Sequence, residues 1–532
     1  MPGLDRTVVD KIDSALAIAR VRRDIRTDFI LAPHFDAIFL KASDELSART
    51  HEFLSSGKYA PEPVLTVAVP KARNFTRPGS ILWPIDRLVY QVLADLAAPT
   101  LEAQLDRSRT FSHVVVESGQ EGHLFEPEHL CWERFQTALR KLAGKGGFFV
   151  KADVANYFER IPQHNLINLM IASGCVPEVA RLLEEVLLAF QERNSFGIIQ
   201  GVFPSDLFGN FYLSDVDAYC EIHSVQSLRF VDDLYLRFDS LAEARRGLIR
   251  VIDRLRQEGL HLNEYKSGIR AAQRVVREET ELDQLFAETV DEIREERRSE
   301  KRAAEVVTSY GFPVGWEFDE EDENDEADDD EQDEDELTNA AVERLYQSLQ
   351  DNPGQTDKIE RFCLPFLRAA GSDIAVQRAL NGITERPHLS RLYLSYLSRF
   401  VPGDKPVTRR LEKLIDSPML VMDYQRMYLL GALMGAAKIE RTTVNGALRL
   451  LAESTVGQEV RALAAIFAAR HGTPQQRRTV RLSYEKESSA YVRAAILYAS
   501  RHFTGTERKI CTKAWGGHNI TNALIGHALR SS

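Results

Sequence analysis

Two adjacent carboxylates, Asp232 and Asp233, interrupt the apolar stretch Leu228-Arg229-Phe230-Val231-Asp232-Asp233-Leu234-Tyr235-Leu236-Arg237-Phe238. Leu228 and Phe230 before the pair, and Leu234, Leu236 and Phe238 after it, fall on period-two positions, which predicts a β-hairpin with the acidic pair at its tip. Like charges that close repel, and a divalent, oxygen-seeking cation such as Mg2+ gives the pair a reason to stay ionised. An Asp-Asp dipeptide alone is more often a solvated turn than a catalytic pair. Two upstream stretches shift that balance. In Gly147 to Ile161 an apolar strand ends at Asp153 and two aromatics, Tyr157 and Phe158, follow; in Gly197 to Leu213 a glycine-bearing loop breaks into a helix.

In this order the three stretches resemble motifs A, B and C of reverse transcriptases, and the joint match is far more specific than any one part. The resemblance implies two-metal nucleotidyl transfer. Asp153 and Asp232 would bridge two Mg2+ ions, with Mn2+ an alternative, Asp233 would stand beside them, and the Val154 carbonyl would be a further ligand. The protein itself would contribute chiefly placement and electrostatics. Gln200 and Gly201 would lie along the nucleotide and the template base, a glycine letting backbone approach closely. Phe158, five residues after Asp153, matches the family's steric gate against a ribose 2′-hydroxyl, so deoxynucleotides are the expected substrate; its plain reading is a core aromatic.

Elements on either side must position these groups. Upstream, Val67 to Gly79 and then Pro84 to Leu93 read as a Pro-Lys, Arg-Pro hairpin followed by an amphipathic helix opened by Asp86-Arg87, similar to the fingers of bacterial reverse transcriptases. Lys71 and Arg77 are the candidates there for holding a triphosphate, a guanidinium by bidentate contacts and an ammonium as a point charge, although either is equally readable as a solvated cation. Downstream, Leu241 to Gly259 has helical periodicity, and Leu260 to Ser267 resembles the family's motif D. By position, Lys266 is the candidate to protonate the departing pyrophosphate, against a plain reading as a cation lining the cleft. From Arg270 onward the sequence reads as an increasingly charged, exposed helix.

The chain of 532 residues is too long for one ordinary core, so two or three domains are expected. Cys131, Cys175, Cys220, Cys363 and Cys511 form no CxxC pair, which argues against a zinc site and a disulfide framework and for a reducing compartment. There is no signal-like apolar core at the N-terminus, and the apolar run Met427 to Ala437 is too short to span a bilayer, so a cytoplasmic protein without membrane contact is expected. The net charge of −12 looks wrong for a partner of nucleic acid until the acid is located: Glu317 to Glu336 holds 16 Asp or Glu among 20 residues, and the rest of the chain is at +4. Such a block repels itself and buries nothing, which predicts a solvated linker, with screening of a basic cleft as the sharper alternative.

Beyond that tract the sequence is helix-forming, with amphipathic segments around Val342 to Leu349, Ile359 to Ala370, Ser390 to Phe400, Tyr424 to Ala437, Gln458 to Arg470, Ala490 to Arg501 and Thr521 to Leu529. Val460 to Ile466 and Val492 to Leu497 are mutually similar, which suggests an α-solenoid over a compact bundle. The expected fold is therefore α+β: a right-hand polymerase, fingers and palm with an antiparallel sheet, over 1–275; a helical connection over 276–316; an acidic disordered linker or loop over 317–337; and an all-α HEAT-like repeat domain over 338–532.

A reverse transcriptase followed by a helical repeat, without legible endonuclease, ribonuclease H or integrase, resembles the abortive-infection and defence-associated reverse transcriptases of bacteria. That resemblance implies dNTPs as substrate, a DNA product, an RNA template or noncoding RNA as partner, unprimed, protein-primed or template-independent synthesis, and assembly into trimers or hexamers. If an enzyme hydroxyl serves as primer, the helical half offers Tyr393, Tyr396, Tyr424, Tyr428, Tyr484, Tyr491 and Tyr498, most of which read as packing residues. A retroelement-type polymerase copying its own RNA and an inactive scaffold are the rival readings, the latter disfavoured by the intact carboxylates and Gln200-Gly201.

Overall fold

The computed structural model describes residues 4–116, 122–280, 285–286, 289 and 329–531, with side chains from 338 in the last stretch. Helices Ser14–Thr27, Pro33–Lys41 and Ser43–Ser56 lead into an antiparallel hairpin of β1 (Leu65–Pro70) and β2 (Thr76–Ile81). The helix Pro84–Glu102 follows, started by Pro84 in the first turn, where a missing N–H costs nothing.

The palm is a four-stranded sheet in the order β4-β5-β3-β6, from β3 (Phe148–Asp153), β4 (Gln226–Phe230), β5 (Asp233–Phe238) and β6 (Gly268–Ala271), all neighbours antiparallel. Both faces are covered, so its strands alternate between two apolar layers rather than between core and solvent. Phe149, Leu228 and Tyr235 pack with Phe135, Leu139 and Leu142 of the helix Glu128–Ala143. Val150, Ala152, Leu234 and Leu236 belong to the main core with Ala244, Val251 and Leu255 of the helix Leu241–Gln257. That helix starts on a capping box of Ser240 and Glu243 and lies close to the sheet because Gly247 has no side chain: a Cβ there would stand 2.1 Å from the Phe238 ring.

Two sequence expectations are corrected here, the place of the hairpin turn and the state of Arg270. The hairpin turn is Val231-Asp232, one residue earlier than the acidic pair, because Asp233 is already paired with Phe230. Leu228 and Leu234 lie on opposite faces, since Leu228 is the register partner of Tyr235 and Arg229 that of Leu234. Arg270 is in strand, not helix: β6 pairs with β3 and closes the edge of the palm, and helix begins only after it.

Most of the proposed connection and the acidic run up to residue 328 lie outside the described residues. The described residues resume in a helix, Asp329–Gln347. The seven predicted helical segments are all helical. Thr356–Ala370, Ser390–Ser398, Asp423–Leu433, Gln458–His471, Ala490–Ala499 and Ile520–Arg530 form a row in which each touches the next. Between them lie Val376–Glu385, Lys405–Glu412, Arg441–Ala452, Pro474–Ser483 and Gly505–Trp515, which periodicity missed. Their buried stripes vary in width: Pro474–Ser483 buries only Gln476 and Val480, whereas Arg441–Ala452 buries six of its twelve residues.

The two halves do not have separate cores. One apolar cluster runs from Phe35 and Ile38 through Leu234 to Tyr491 and Leu524. Phe35 meets the Tyr491 ring edge-on at 5.2 Å, and a Cβ on Gly431 would lie 2.6 Å from Leu31.

Candidate active site

Register explains how two carboxylates distant in sequence meet: Asp153 ends β3 directly opposite Asp233, which begins β5. Asp232 sits between Phe230 and Asp233 in a turn whose first residue, Val231, has φ +54°. A β-branched residue rarely adopts that conformation, and its neighbours hold it there. The Val231 N–H donates to Ser112 Oγ at 2.8 Å, and Arg229 Nη1 donates to the Val231 carbonyl at 2.9 Å.

Arg229 is the anchor of the tip. It is 1% exposed and donates to Asp217 Oδ2 from Nε at 2.9 Å and from Nη2 at 2.6 Å, to Asn210 Oδ1 at 2.8 Å and to the Asn210 carbonyl at 3.0 Å. Thr110 Oγ1 donates to the same Asp217 oxygen at 3.0 Å. The turn bearing Asp232 is thereby tied to the helix Phe203–Tyr212, to Ser214–Ile222 and to the Thr110–Ser112 segment. Sequence reasoning missed all of these. The available signal was a cation at a period-two inward position of an apolar strand.

Asp153 is placed from its other side by motif D. The Asn263 N–H donates to the Asp153 carbonyl at 2.8 Å, the Asp153 N–H to Ser267 Oγ at 3.0 Å, and Val154 bridges to Leu262. This stitching delivers Lys266, whose Nζ lies 2.9 Å from Asp153 Oδ2. Burial pulls the ammonium down, but its bond to Asp153 and the charges of Asp233 and Asp232 hold it above its ordinary value. Burial, with the negative charge of Asp153 adding to it, pushes Asp232 up to about 6. Asp233 rises to about 7 through burial and the charges of Asp232, Asp153 and Glu279, against the pull of Lys151, which is itself bonded to Glu279.

This chemistry fits a hard divalent cation: an all-oxygen donor set whose members resist ionising together. Among the described residues no three His, Cys, Asp or Glu side chains are drawn tightly enough to enclose an ion as they stand, and the positive charge in contact with Asp153 is the Lys266 ammonium.

The remaining candidates lie in two groups. Phe158 is half-buried and packs where Gly209 lacks a side chain, 2.8 Å from the position a Cβ would take. The motif B loop runs beside it, with the Ile198 N–H on the Phe158 carbonyl at 2.8 Å. Gly201, at φ +85°, admits the edge of the Phe29 ring to 2.0 Å of its missing Cβ, and the Arg77 guanidinium carbon lies 5.0 Å from the centre of that ring. Phe29, also missed from sequence, therefore joins Arg77 to the Gln200-Gly201 loop. Behind the loop Asp24 accepts the Phe203 N–H at 3.2 Å, capping the helix, and is held by Arg87, whose other partner is Asp28. Lys71 stands exposed at the β1–β2 tip. The tyrosines named from the helical half are all buried, the most open being Tyr498 at 8%.

Residues 69–302 match the reverse transcriptase (RNA-dependent DNA polymerase) family, a span that holds every candidate site residue. The chain carries a reverse transcriptase domain. It is thus an enzyme of the RNA-directed DNA polymerase class, with its polymerase sheet formed by the palm described above. No curated protein matches the chain. Among solved structures, telomerase from Candida Tropicalis in complex with the TWJ fragment of telomeric RNA is similar over 79% of this chain and 67% of that one, at 11% identity and a TM-score of 0.30, too low to bear on function. Among the described residues no helix is long and apolar enough to cross a membrane.

Proposed function

We propose that the protein synthesises DNA from dNTPs by two-metal nucleotidyl transfer and that it serves antiphage defence. The observation that carries the first part is the convergence of Asp153, Asp232 and Asp233 at one end of the palm sheet with Lys266 against Asp153. Asp153 and Asp232, with the Val154 carbonyl, would hold two Mg2+ ions, and Asp233 would stand beside them. When bound, Mg2+ supplies Lewis acidity toward the attacking hydroxyl and the leaving pyrophosphate.

The chain's own residues do the rest. Arg229 and Ser112 fix the backbone of the tip from which Asp232 projects. Lys266, protonated and free to leave Asp153 once another cation is there, gives its Nζ proton to the pyrophosphate oxygen. Phe158, braced on Gly209, closes the space a 2′-hydroxyl would need, and Gln200-Gly201 lie along the nucleotide. Lys71 reaches from the hairpin toward the triphosphate.

Defence is supported by architecture: a reverse transcriptase domain with a two-row stack of helices, read as a HEAT-like repeat, on the plan of the defence-associated enzymes the sequence resembles. A cytoplasmic location, a nucleic-acid partner and self-assembly into trimers or hexamers belong to the same reading. The deciding experiment incubates the purified chain with Mg2+ and each dNTP, with and without added RNA or DNA, and separates products on a denaturing gel. DNA product and poor use of ribonucleotides are expected, with Phe158→Ala relaxing that preference about tenfold. No product under any condition, or equal use of ribonucleotides by the unaltered protein, overturns the assignment.

A further inference from the structure

Several arginines elsewhere in the protein answer to carboxylates: Arg20 to Asp95, Arg87 to Asp24 and Asp28, Arg254 to Asp215. Three that lie together do not. Arg77 comes from β2, Arg361 from the helix Thr356–Ala370 and Arg391 from Ser390–Ser398, and all three charges act on the buried phenol of Tyr424. Among the described residues none of the three forms an ion pair. Arg77 lies over Phe29, and Arg391 donates only to the Thr27 carbonyl, at 3.2 Å. The Nε atoms of Arg77 and Arg391 are both buried without a hydrogen-bond partner, while Arg361 is exposed. Burial, with Arg361 and Arg391 adding to it, pulls the Arg77 guanidinium below its ordinary value. Of the negative charges nearby, Glu159 acts on Arg77 without bonding to it, and Asp28 is taken by Arg87.

The cluster sits on the seam between the halves. There β1 packs against the helix Asp423–Leu433, and the tip of its hairpin meets the short turn Pro387–Leu389. Like charges brought together with donors left open are costly unless an anion joins them, and a planar guanidinium fork matches a phosphate.

We infer that Arg77, Arg361 and Arg391 form a phosphate site that takes the phosphodiester backbone of a nucleic-acid strand running along the seam between the fingers hairpin and the helical half. The strand, rather than the triphosphate of an incoming nucleotide, is favoured because the cluster is spread over three elements of both halves. That the anion belongs to a nucleic acid rests on the polymerase reading; that an anion belongs here does not.

The test is binding, read without chemistry. The full chain is titrated into fluorescent single-stranded DNA or RNA in EDTA over a range of salt, and separately with dTTP and Mg2+, for the unaltered protein, Arg361→Ala, Arg391→Ala and the double variant. Loss of two phosphate contacts should weaken strand binding about tenfold and reduce the slope of log K against log salt by about 1.4, with dTTP affinity unchanged. Unaltered strand affinity and slope in the double variant overturn the site. Weakened dTTP binding with unaltered strand binding moves the arginines to the triphosphate and overturns the strand assignment. Should Arg391→Ala loosen the seam, the exposed Arg361→Ala decides alone, with an expected slope change of about 0.7. Asp232→Ala is the control that separates this inference from the polymerase reading: it should bind the strand as the unaltered chain does even if no DNA synthesis is ever observed.

Discussion

The protein has two β-hairpins that bear candidate chemistry, and they are built to opposite plans. Both turn through non-glycine residues in the left-handed region, Arg73 and Asn74 in the fingers hairpin and Val231 in the palm hairpin. In the palm the strained residue is clamped on both its N–H and its carbonyl, and the strand behind it is anchored by a buried arginine with carboxylate, amide and hydroxyl partners. In the fingers the tip from Lys71 to Thr76 is exposed throughout, and its short span is closed by backbone bonds between Lys71 and Phe75 and between Phe75 and Ala72. The candidate carboxylates are pre-organised on a clamped turn, whereas the candidate cation Lys71 stands on an exposed tip whose neighbour is the turn Pro387–Leu389.

The sharpest way to break the comparison is to remove the pre-organised groups. Asp153→Ala or Asp232→Ala should cut DNA synthesis about a thousandfold or more while thermal melting stays cooperative, since each removes a ligand at a site edge rather than a core contact. Asp232→Asn should melt higher than the unaltered chain at pH 8, because a carboxylate whose folded value is raised to about 6 costs stability wherever it is ionised. Near-normal synthesis by either alanine variant would remove the metal assignment.

Next in size is the anchor. Arg229→Ala strands Asp217 in the core without its partner and should cost about 3–5 kcal/mol in denaturant unfolding. Arg229→Ala with Asp217→Asn should cost less than the sum of the two single changes. On the fingers hairpin, exposed Lys71→Ala should leave the midpoint unmoved. Equal losses from both hairpins would mean that the fingers tip is held by something other than its backbone.

The carboxylates were legible because they are local in sequence: an acidic pair between strand patterns and an acid at a strand end. What fixes them was not. Arg229 reaches Asp217, Asn210 and Thr110 on three separate elements, and no pattern within a strand announces which distant groups will answer a buried cation. Phe29 and Asp24 likewise sit in an N-terminal segment whose composition gives no sign of contact with Gly201 or Phe203. Gln458–His471 was legible as an apolar run, ten of its fourteen residues being buried, whereas Pro474–Ser483 buries only Gln476 and Val480 and gives no such run.

A smaller effect concerns protons at the palm tip. Asp233 is raised to about 7 and Asp232 to about 6, so between pH 8 and pH 6 protons increasingly occupy the oxygens that would bind metal. The Mg2+ concentration for half-maximal synthesis should therefore rise several-fold as pH falls across that window, and Mg2+ binding near pH 6.5 should release protons. Calorimetry in two buffers of different ionisation enthalpy measures the release directly. A Mg2+ requirement flat from pH 8 to pH 6 would show that these carboxylates do not hold the ion.

The finest test sets the two strained tips against each other. Val231 is β-branched at φ +54°, a conformation that costs such a residue about 1–2 kcal/mol. Val231→Gly removes that strain but adds about 0.5–1 kcal/mol of unfolded-state entropy, leaving a net gain below about 1 kcal/mol. Asn74 pays little for φ +61°, because its side chain tolerates the left-handed region, so Asn74→Gly should return only the entropy loss and destabilise slightly. The two substitutions should thus shift the unfolding midpoint in opposite directions. If Val231→Gly also lowers synthesis while raising stability, the clamp on Val231 serves the placement of Asp232 and not the fold. If synthesis is unchanged, Arg229 and Ser112 position Asp232 without any need for the strain they hold.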